Sequence, residues 1–140
     1  MKQLLNKNSK NNKAYNCLII DDEPHVLLQI SDYISAVRKL KLVASFLKPV
    51  DGINFINSTP TKIDFLFLDI NMQTLNGIET AKIIRDKVQF LVFITAYEKY
   101  ALEAFQVDCD AFVLKPISFE KLLNTVNVLL KKNHRLKIKP

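Results

Sequence analysis

Residues 18–24 read LIIDDEP, three apolar residues followed by three acids and a proline. The apolar residues belong to a run, 17–20, without polar alternation, which is typical of a strand buried on both faces of a sheet. Pro24 is favoured in the first turn of a helix, where its missing N–H costs no hydrogen bond. The stretch therefore predicts a buried strand, an acidic turn and a helix.

Four further short apolar runs follow along the chain. Amphipathic segments separate them, so strands and helices are expected to alternate. This alternation predicts an α/β domain with a doubly wound parallel sheet, because right-handed crossovers place helices on both faces. The four runs are residues 42–46, 63–68, 90–94 and 111–114.

Helix signals mark the segments between the strands. Asn76 is a favoured N-cap residue, and Glu79 three positions on resembles the second half of a capping box. A long apolar stripe after Ser118 predicts the last helix. Weaker helices are predicted at residues 50–56 and 98–106. The predicted apolar face of the first helix consists of Leu27, Ile30, Ile34 and Val37.

The net charge of +6 is concentrated in the two ends of the chain. Residues 1–16 contain four lysines and residues 131–140 five basic residues, with no acid in either, so the middle carries −3. A mildly acidic body argues against a nucleic-acid-binding face on the folded domain. We expect a basic flexible N-terminal extension at 1–15, one domain at 16–132, and a basic tail or linker start at 133–140.

The composition also argues against several classes of protein. No run of 18 or more apolar residues occurs and the N-terminus is rich in Asn and Lys, so neither a membrane span nor a secretory signal is predicted and the cytoplasm is expected. Cys17 and Cys109 form no CxxC pair, which argues against a disulfide framework or a zinc site. Both are expected to be small buried residues.

Polar residues follow four of the predicted strands where each strand ends. In doubly wound sheets, ligands bind beyond the carboxyl ends of the strands. A single acid after a strand is usually a helix cap or a solvated loop residue, but four polar strand ends together form a chemical set. The set consists of Asp21, Asp22 and Glu23 after the first strand, Asp69 after the third, Thr95 after the fourth, and Lys115 with Pro116 after the fifth.

This set has the composition of a phosphoryl-transfer site. Crowded carboxylates repel each other and raise each other's pKa unless a cation lies among them, and Mg²⁺ prefers such oxygen ligands. Phosphoryl transfer needs a nucleophile, a metal, and donors for the phosphoryl oxygens. Asp69 would supply the nucleophile, the acidic pair Asp21 and Asp22 the metal site, and Lys115 and Thr95 the donors.

Five short motifs in this order resemble those of the response regulator receiver domains of two-component systems. The resemblance covers about residues 16–132 and implies the flavodoxin-like receiver fold, with five helices and a parallel sheet in the order 2-1-3-4-5. The motifs are LIIDDE at 18–23, LDINM at 68–72, NG at 76–77, ITA at 94–96 and LKP at 114–116.

The resemblance implies a metal-dependent phosphoacceptor site. Asp69 would accept the phosphoryl group. Asp21 and Asp22 would hold Mg²⁺ together with Asp69, with Asp22 the more direct ligand. The backbone carbonyl of Asn71 would complete the protein ligands, and Lys115 would pair first with Asp69 and then with the phosphoryl group.

Other residues are implied to transmit or modulate the signal. Thr95 would donate its hydroxyl to a phosphoryl oxygen, and Phe112 occupies the place of the switch aromatic without the hydroxyl of the common tyrosine. Tyr97 and Asn71 would flank the opening of the site and limit the approach of water. The bond between Lys115 and Pro116 is expected to be cis.

Residues 95–105 and 114–118 are similar to receivers of the LytTR class, which normally carry a C-terminal DNA-binding domain. The resemblance implies a signalling domain that is not an enzyme in the usual sense but catalyses its own phosphorylation and dephosphorylation. It implies a sensor histidine kinase as donor, a transcriptional output, homodimerisation on phosphorylation, and no membrane contact. DNA would be bound only through an effector domain that residues 1–140 do not include.

Three other functions are alternatives to this one. A flavin-binding protein of the same topology would need a phosphate cradle of Ser, Thr or Gly after the first strand, where this chain has acids. A histidine phosphotransfer protein is disfavoured, because neither His25 nor His134 lies on a four-helix pattern. A receiver-like interaction module without phosphorylation remains an alternative, although every position that carries the chemistry is filled.

Overall fold

The chain alternates parallel strands with helices, as the sequence predicts. The computed structural model describes residues 13–138, with side chains to residue 133. Short 3₁₀ turns at Arg85–Lys87 and Glu98–Tyr100 precede β4 and α4. The strands are β1 (Tyr15–Ile20), β2 (Leu40–Phe46), β3 (Ile63–Leu68), β4 (Val88–Thr95) and β5 (Ala111–Leu114), and the helices are α1 (Pro24–Ser35), α2 (Pro49–Ser58), α3 (Gly77–Ile84), α4 (Ala101–Gln106) and α5 (Phe119–Ile138).

The sheet is all parallel and has the strand order β2-β1-β3-β4-β5, which confirms the predicted fold. All six residues of β3 are buried, as its run of apolar side chains predicts. Alternate residues face opposite sides of the sheet. Cys17 and Ile19 pack in one core with α1 and α5, whereas Leu18 and Ile20 pack in a second core with α2, α3 and α4.

The helix starts follow from their first residues. Pro24 begins α1, and the Asn76 side chain accepts the backbone N–H of Glu79 at 2.9 Å, so the predicted N-cap of α3 is confirmed. The predicted buried face of α1 is confirmed at Ile30 and Ile34 and is wrong at Leu27, and Val37 is buried just after the helix ends. Val26 is buried with Ile30 and Ile34, while Leu27 is only half-buried at the edge of the core.

Several boundaries differ from the prediction. The strands β1, β2 and β4 each begin two residues earlier, because ladder pairing extends past the most apolar stretch. Tyr15, predicted as the end of the N-terminal extension, therefore belongs to β1. The helix α5 continues to Ile138, since no Gly or Pro interrupts residues 119–138, and so it enters the predicted tail at 133–140. Of the predicted N-terminal extension, residues 1–12 lie outside the described part, as do residues 139–140 of the tail.

Both cysteines are free thiols inside or at the edge of the cores. Cys17 is fully buried, and burial raises the pKa of its thiol to about 12, so it packs as an apolar residue. Cys109 is half-buried. Within residues 13–138, none of the helices has the length and apolar character required to cross a membrane.

Candidate functional site

Backbone hydrogen bonds bring the strand ends together at one edge of the sheet. The N–H of Asp69 donates to the carbonyl of Ile20 at 2.9 Å, and the N–H of Lys115 donates to the carbonyl of Thr95 at 2.7 Å. The N–H of Asp21 likewise continues the ladder to the last residue of β2 at 3.1 Å. The three functional residues therefore extend directly from buried strands, which fixes their backbones.

These strand ends surround an open cleft of about 400 Å³. Most of the residues that the sequence predicts for the site lie on its walls. Asp21, Thr95, Phe112 and Pro116 do not. Asp21 and Thr95 are buried, Phe112 packs against the core that α2, α3 and α4 cover, and Pro116 is exposed. The cleft is lined by Asp22, Glu23, Asp69, Asn71, Met72, Gln73, Ala96, Tyr97 and Lys115.

Lys115 lies at the centre of the charged groups. Its Nζ is 2.7 Å from Glu23 Oε1, 3.1 Å from Asp21 Oδ2 and 3.5 Å from Asp69 Oδ1. Burial alone would lower the pKa of the ammonium, but the hydrogen bond to Glu23 and the charges of Asp21 and Asp69 raise it above the usual value. Lys115 is therefore a fixed positive charge shared by three carboxylates.

The two buried aspartates carry more negative charge than this one ammonium balances. Burial, followed by the charge of Asp21, raises the pKa of Asp69 from 3.8 to about 7. Burial also raises the pKa of Asp21, against a hydrogen bond from the N–H of Glu23 to its Oδ1 at 2.9 Å. Asp21 Oδ2 is buried and has no hydrogen bond in the described structure, although the ammonium is only 3.1 Å away.

The donor set fits a hard divalent cation. One carboxylate oxygen from each of Asp21, Glu23 and Asp69 lies within 4.8 Å of the others, and Asp21 Oδ2 is buried without a hydrogen bond among the described residues. Oxygen-only donors of this kind suit Mg²⁺. Asp22, which the sequence analysis named as the more direct ligand, lies on the cleft wall and outside this group of three; its role as a ligand stays a prediction.

A close backbone approach holds the loop after β3 against the site. The N–H of Gly77 donates to the carbonyl of Ile70 at 2.7 Å. A Cβ on residue 77 would lie 2.1 Å from the carbonyl oxygen of Asp69 and 2.7 Å from the Cα of Ile70. Only glycine allows this contact, so Gly77 helps to fix the backbone of Asp69. Asn71 lies in the same loop, exposed at the mouth of the cleft.

Tyr97 forms part of the rim, as the sequence analysis expects. Its ring is edge-on to Tyr100 at a centroid distance of 6.1 Å, and the ammonium of Lys99 lies 5.5 Å above it. Its N–H donates to Thr95 Oγ1 at 3.3 Å. The ring is therefore held in place although 45% of the residue is exposed. The bond between Lys115 and Pro116 is cis, the geometry that the resemblance implies.

Sequence reasoning gave Glu23 no role of its own. Glu23 is the N-cap residue of α1, yet its side chain makes no capping bond, and glutamate is not among the favoured N-caps. Asp21 binds the N–H of Glu23 instead, which leaves the glutamate side chain free to reach Lys115. Three consecutive acids before a proline were the available signal for this arrangement.

A family model described as the response regulator receiver domain matches residues 17–127. The chain belongs to this family. Curated relatives of this receiver domain include the sensory transduction protein LytT of Enterococcus faecalis, 34% identical over 78% of the chain and 45% of the relative. An uncharacterized response regulatory protein of Vibrio vulnificus is 35% identical over 81% of the chain and 47% of the relative. The chain thus spans about half the length of these relatives.

Solved structures give the same result. The response regulatory domain of MrkE from Klebsiella pneumoniae superposes with a TM-score of 0.75 at 30% identity, covering 86% of this chain and 98% of that one. CheY from Borrelia burgdorferi, solved in a complex with CheX, BeF₃ and Mg²⁺, superposes with a TM-score of 0.75 at 21% identity, covering 84% and 90%. The second likeness concerns the fold alone. The receiver fold and the similarity to LytTR-class receivers are therefore confirmed.

Proposed function

We propose that this receiver domain acts in the cytoplasm, where it accepts a phosphoryl group on Asp69 from a sensor histidine kinase in a Mg²⁺-dependent reaction. The observation that carries the proposal is the position of Asp69. Asp69 is almost fully buried at a strand end, and its Oδ1 is 3.5 Å from the ammonium of Lys115. The residue also lines an open cleft. A nucleophile, a cation and access for a donor therefore occur together.

The protonation state of Asp69 explains why a metal is required. Only the carboxylate is nucleophilic, and a pKa of about 7 leaves much of Asp69 protonated near neutral pH. Bound Mg²⁺ would supply positive charge that favours the carboxylate and neutralises charge on the phosphoryl oxygens. Asp21, Asp69 and either Asp22 or Glu23 would hold it, with the carbonyl of Asn71.

In the transfer itself, a carboxylate oxygen of Asp69 forms a bond to phosphorus. The bond between phosphorus and the donor's leaving atom breaks, and the leaving group keeps the electron pair. Lys115 then bonds one phosphoryl oxygen, and Thr95 rotates its hydroxyl to donate to another. Hydrolysis of the acyl phosphate by water returns the carboxylate, so the domain would catalyse both its own phosphorylation and its own dephosphorylation.

Two residues at the rim would set how long the phosphoryl group lasts. Tyr97 and Asn71 both line the cleft, and both are exposed. Water needs in-line access to phosphorus, whereas a phosphoryl donor gains access by binding. The Tyr97 ring, held by Tyr100 and Lys99, is placed to restrict that access.

The output would pass through the surface of α4. Ala104 is buried, whereas Leu102 and Phe105 are exposed by 70% and 77%, an unusual exposure for large apolar side chains that face water together. We propose that phosphorylation shifts Thr95, Phe112 and this helix between two states. The helix then forms a homodimer contact that an effector domain reads as a transcriptional signal.

The acceptor assignment is tested by the intact mass of the chain after incubation with acetyl phosphate and Mg²⁺. The wild type should gain one phosphoryl group, and Asp69→Asn none. Asp64→Asn is a matched control, because Asp64 is also a buried carboxylate of β3 but lies at the opposite end of the strand. An adduct that persists in Asp69→Asn, or forms equally in EDTA, would refute the proposal. A wild type that gains no adduct would favour the alternative of an interaction module without phosphorylation.

The metal site is tested by stability without any phosphoryl donor. If Mg²⁺ binds with a dissociation constant on the order of 1 mM, about 10 mM should add roughly 1.4 kcal/mol to the free energy of unfolding. Asp22→Ala should abolish this increment if Asp22 is a ligand. An unfolding free energy that does not respond to Mg²⁺ in the wild type would argue against the site.

The output is tested by sedimentation of the chain with and without a phosphoryl mimic. The wild type should dimerise on activation, and Phe105→Glu should stay monomeric while still accepting the phosphoryl group. A wild type that remains a monomer would remove the dimer proposal and leave the acceptor chemistry untouched.

A further inference from the structure

The shortest contact of Lys115 is made to Glu23, a residue that does not itself accept the phosphoryl group. Its ammonium donates a hydrogen bond to Glu23 Oε1 at 2.7 Å. The approach to Asp21 Oδ2 is 3.1 Å without hydrogen-bond geometry, and Asp69 Oδ1 is at 3.5 Å. The lysine that should serve the phosphoryl group is therefore directed at Glu23 and stands beyond hydrogen-bonding distance of Asp69.

Burial distinguishes Glu23 from the other two carboxylates. The Glu23 side chain is 46% exposed, while those of Asp21 and Asp69 are exposed by 2% and 4%. The contact between Lys115 and Glu23 Oε1 is a hydrogen bond between an ammonium and a carboxylate on a partly exposed side chain. The Glu23 side chain is partly exposed and makes no capping hydrogen bond to α1, so it can move away from Lys115 at little cost. The two aspartates are buried at strand ends and cannot.

We propose that Glu23 is a positioning residue that holds Lys115 away from Asp69 in the unphosphorylated receiver, and that Lys115 exchanges Glu23 for a phosphoryl oxygen during uptake. The inference rests on the proposed function of Asp69 and Lys115. The bond between Glu23 and Lys115 stabilises the ground state and is absent once the lysine has moved. An interaction that is stronger in the ground state than in the transition state slows the reaction.

Removing the charge of Glu23 should therefore speed phosphoryl uptake. A partly exposed pair of this kind corresponds to a change of about fivefold in rate. The effect should appear at saturating Mg²⁺, where any change in metal affinity no longer matters. A role as an essential metal ligand predicts the opposite sign, because loss of a ligand slows uptake and increases the Mg²⁺ that is needed.

The test compares initial rates of uptake from acetyl phosphate at saturating Mg²⁺ in a double-mutant cycle. Glu23→Gln should be about fivefold faster than the wild type, and the same substitution should have no effect when Lys115 is also changed to Met. His25→Gln is the matched control, since His25 lies 3.8 Å from the other Glu23 oxygen and is 78% exposed; its rate should not change. A slower or unchanged Glu23→Gln, or an equal effect without Lys115, would overturn the inference.

A second readout needs neither metal nor donor. The NMR signal of the Lys115 methylene next to the ammonium should shift in Glu23→Gln and stay in place in His25→Gln. An unchanged signal in Glu23→Gln would show that Glu23 does not hold Lys115. If the wild type accepts no phosphoryl group at all, the proposed function fails, and the NMR comparison still decides whether the glutamate positions the lysine.

Discussion

The carboxylates at the two ends of the sheet differ in how their charges and hydrogen bonds are satisfied. At the amino ends of the strands, each carboxylate has its own donors. Asp64 accepts the N–H of Asn16 at 2.8 Å, and Asp110 accepts the N–H of Leu91 at 2.7 Å and the guanidinium of Arg85 at 2.9 Å. These groups join neighbouring strands and loops, and their hydrogen-bonding capacity is used inside the protein.

At the carboxyl ends, Asp21, Glu23 and Asp69 share a single ammonium. The pKa values of both buried aspartates are raised, and Asp21 Oδ2 has no hydrogen bond among the described residues. Buried carboxylates with raised pKa values that face a cleft and share one cation indicate a candidate site for chemistry. Substitutions at the carboxyl end should therefore alter phosphoryl uptake, while those at the amino end should alter stability and leave uptake unchanged.

The largest effect is expected from pH in the metal-free protein. The pKa of Asp69 is about 7 in the folded protein, against an ordinary value of 3.8. As the pH rises, the unfolded chain therefore loses this proton before the folded protein does. The contribution of protonated Asp69 to the free energy of unfolding is therefore fully present below about pH 4 and is lost as the pH rises to about 7. The loss is on the order of 3–4 kcal/mol. Asp69→Asn should remove this part of the slope and leave the smaller part from Asp21.

This prediction is checked by urea unfolding of both proteins between pH 4 and 8 without metal. Saturating Mg²⁺ should restore stability to the wild type above pH 7, and much less to Asp69→Asn. If the free energy of unfolding changes with pH by the same amount in both proteins, Asp69 is not the group that causes the pH dependence.

A slightly smaller loss is expected for Gly77→Ala. The new Cβ would meet the backbone of Asp69 and Ile70, which cannot move without displacing the acceptor, at a cost of about 3 kcal/mol. Gly52→Ala is the matched control, because its Cβ would meet side-chain atoms of Ile20 and Phe46 and no backbone, and it should cost about 1 kcal/mol. Equal losses of unfolding free energy in the two variants, measured by chemical denaturation, would show that the loop after β3 moves easily to accommodate the new Cβ.

At the amino end, Arg85→Met should cost about 2 kcal/mol, because it leaves a half-buried Asp110 without its cation. Phosphoryl uptake should stay at the wild-type rate. The double variant with Asp110→Asn should recover part of the stability. Slower phosphoryl uptake in Arg85→Met would contradict the expectation that residues at the amino ends of the strands do not affect the reaction.

The smallest effect is expected at the rim. Tyr97→Ala should release the phosphoryl group severalfold faster, which corresponds to about 1 kcal/mol in the barrier, with uptake and unfolding nearly unchanged. Tyr97→Phe keeps the ring and should keep the lifetime. Loss of the phosphoryl group is followed by intact mass after the donor is removed; equal lifetimes in Tyr97→Ala and the wild type would eliminate the shielding role.

The fold could be predicted from the sequence because the five strands are short, continuous apolar runs with caps between them. Boundaries were less accurate where pairing decides them: β1, β2 and β4 extend two residues earlier, and residues 98–100 form a 3₁₀ turn before α4. The strand-end residues Asp21, Asp69 and Lys115 were found because parallel strands must end at the same edge.

The direction of individual side chains could not be predicted. Whether Asp22 or Glu23 enters the charged group depends on which carboxylate caps the turn, and Asp21 takes that position through the N–H of Glu23. Likewise the sequence placed Thr95 in the site, whereas in this state its hydroxyl accepts the N–H of Tyr97 behind the cleft. Both outcomes depend on three-dimensional competition for a few donors.

The most direct test of the account is to locate the phosphoryl group chemically. Borohydride reduces an acyl phosphate to an alcohol, so the phosphorylated aspartate becomes homoserine, which peptide sequencing by mass spectrometry identifies. After incubation with acetyl phosphate and Mg²⁺, we predict homoserine at position 69 alone, and none when Mg²⁺ is omitted. Homoserine at position 21 or 22, or an adduct that borohydride does not reduce, would contradict the assignment of Asp69 as the acceptor.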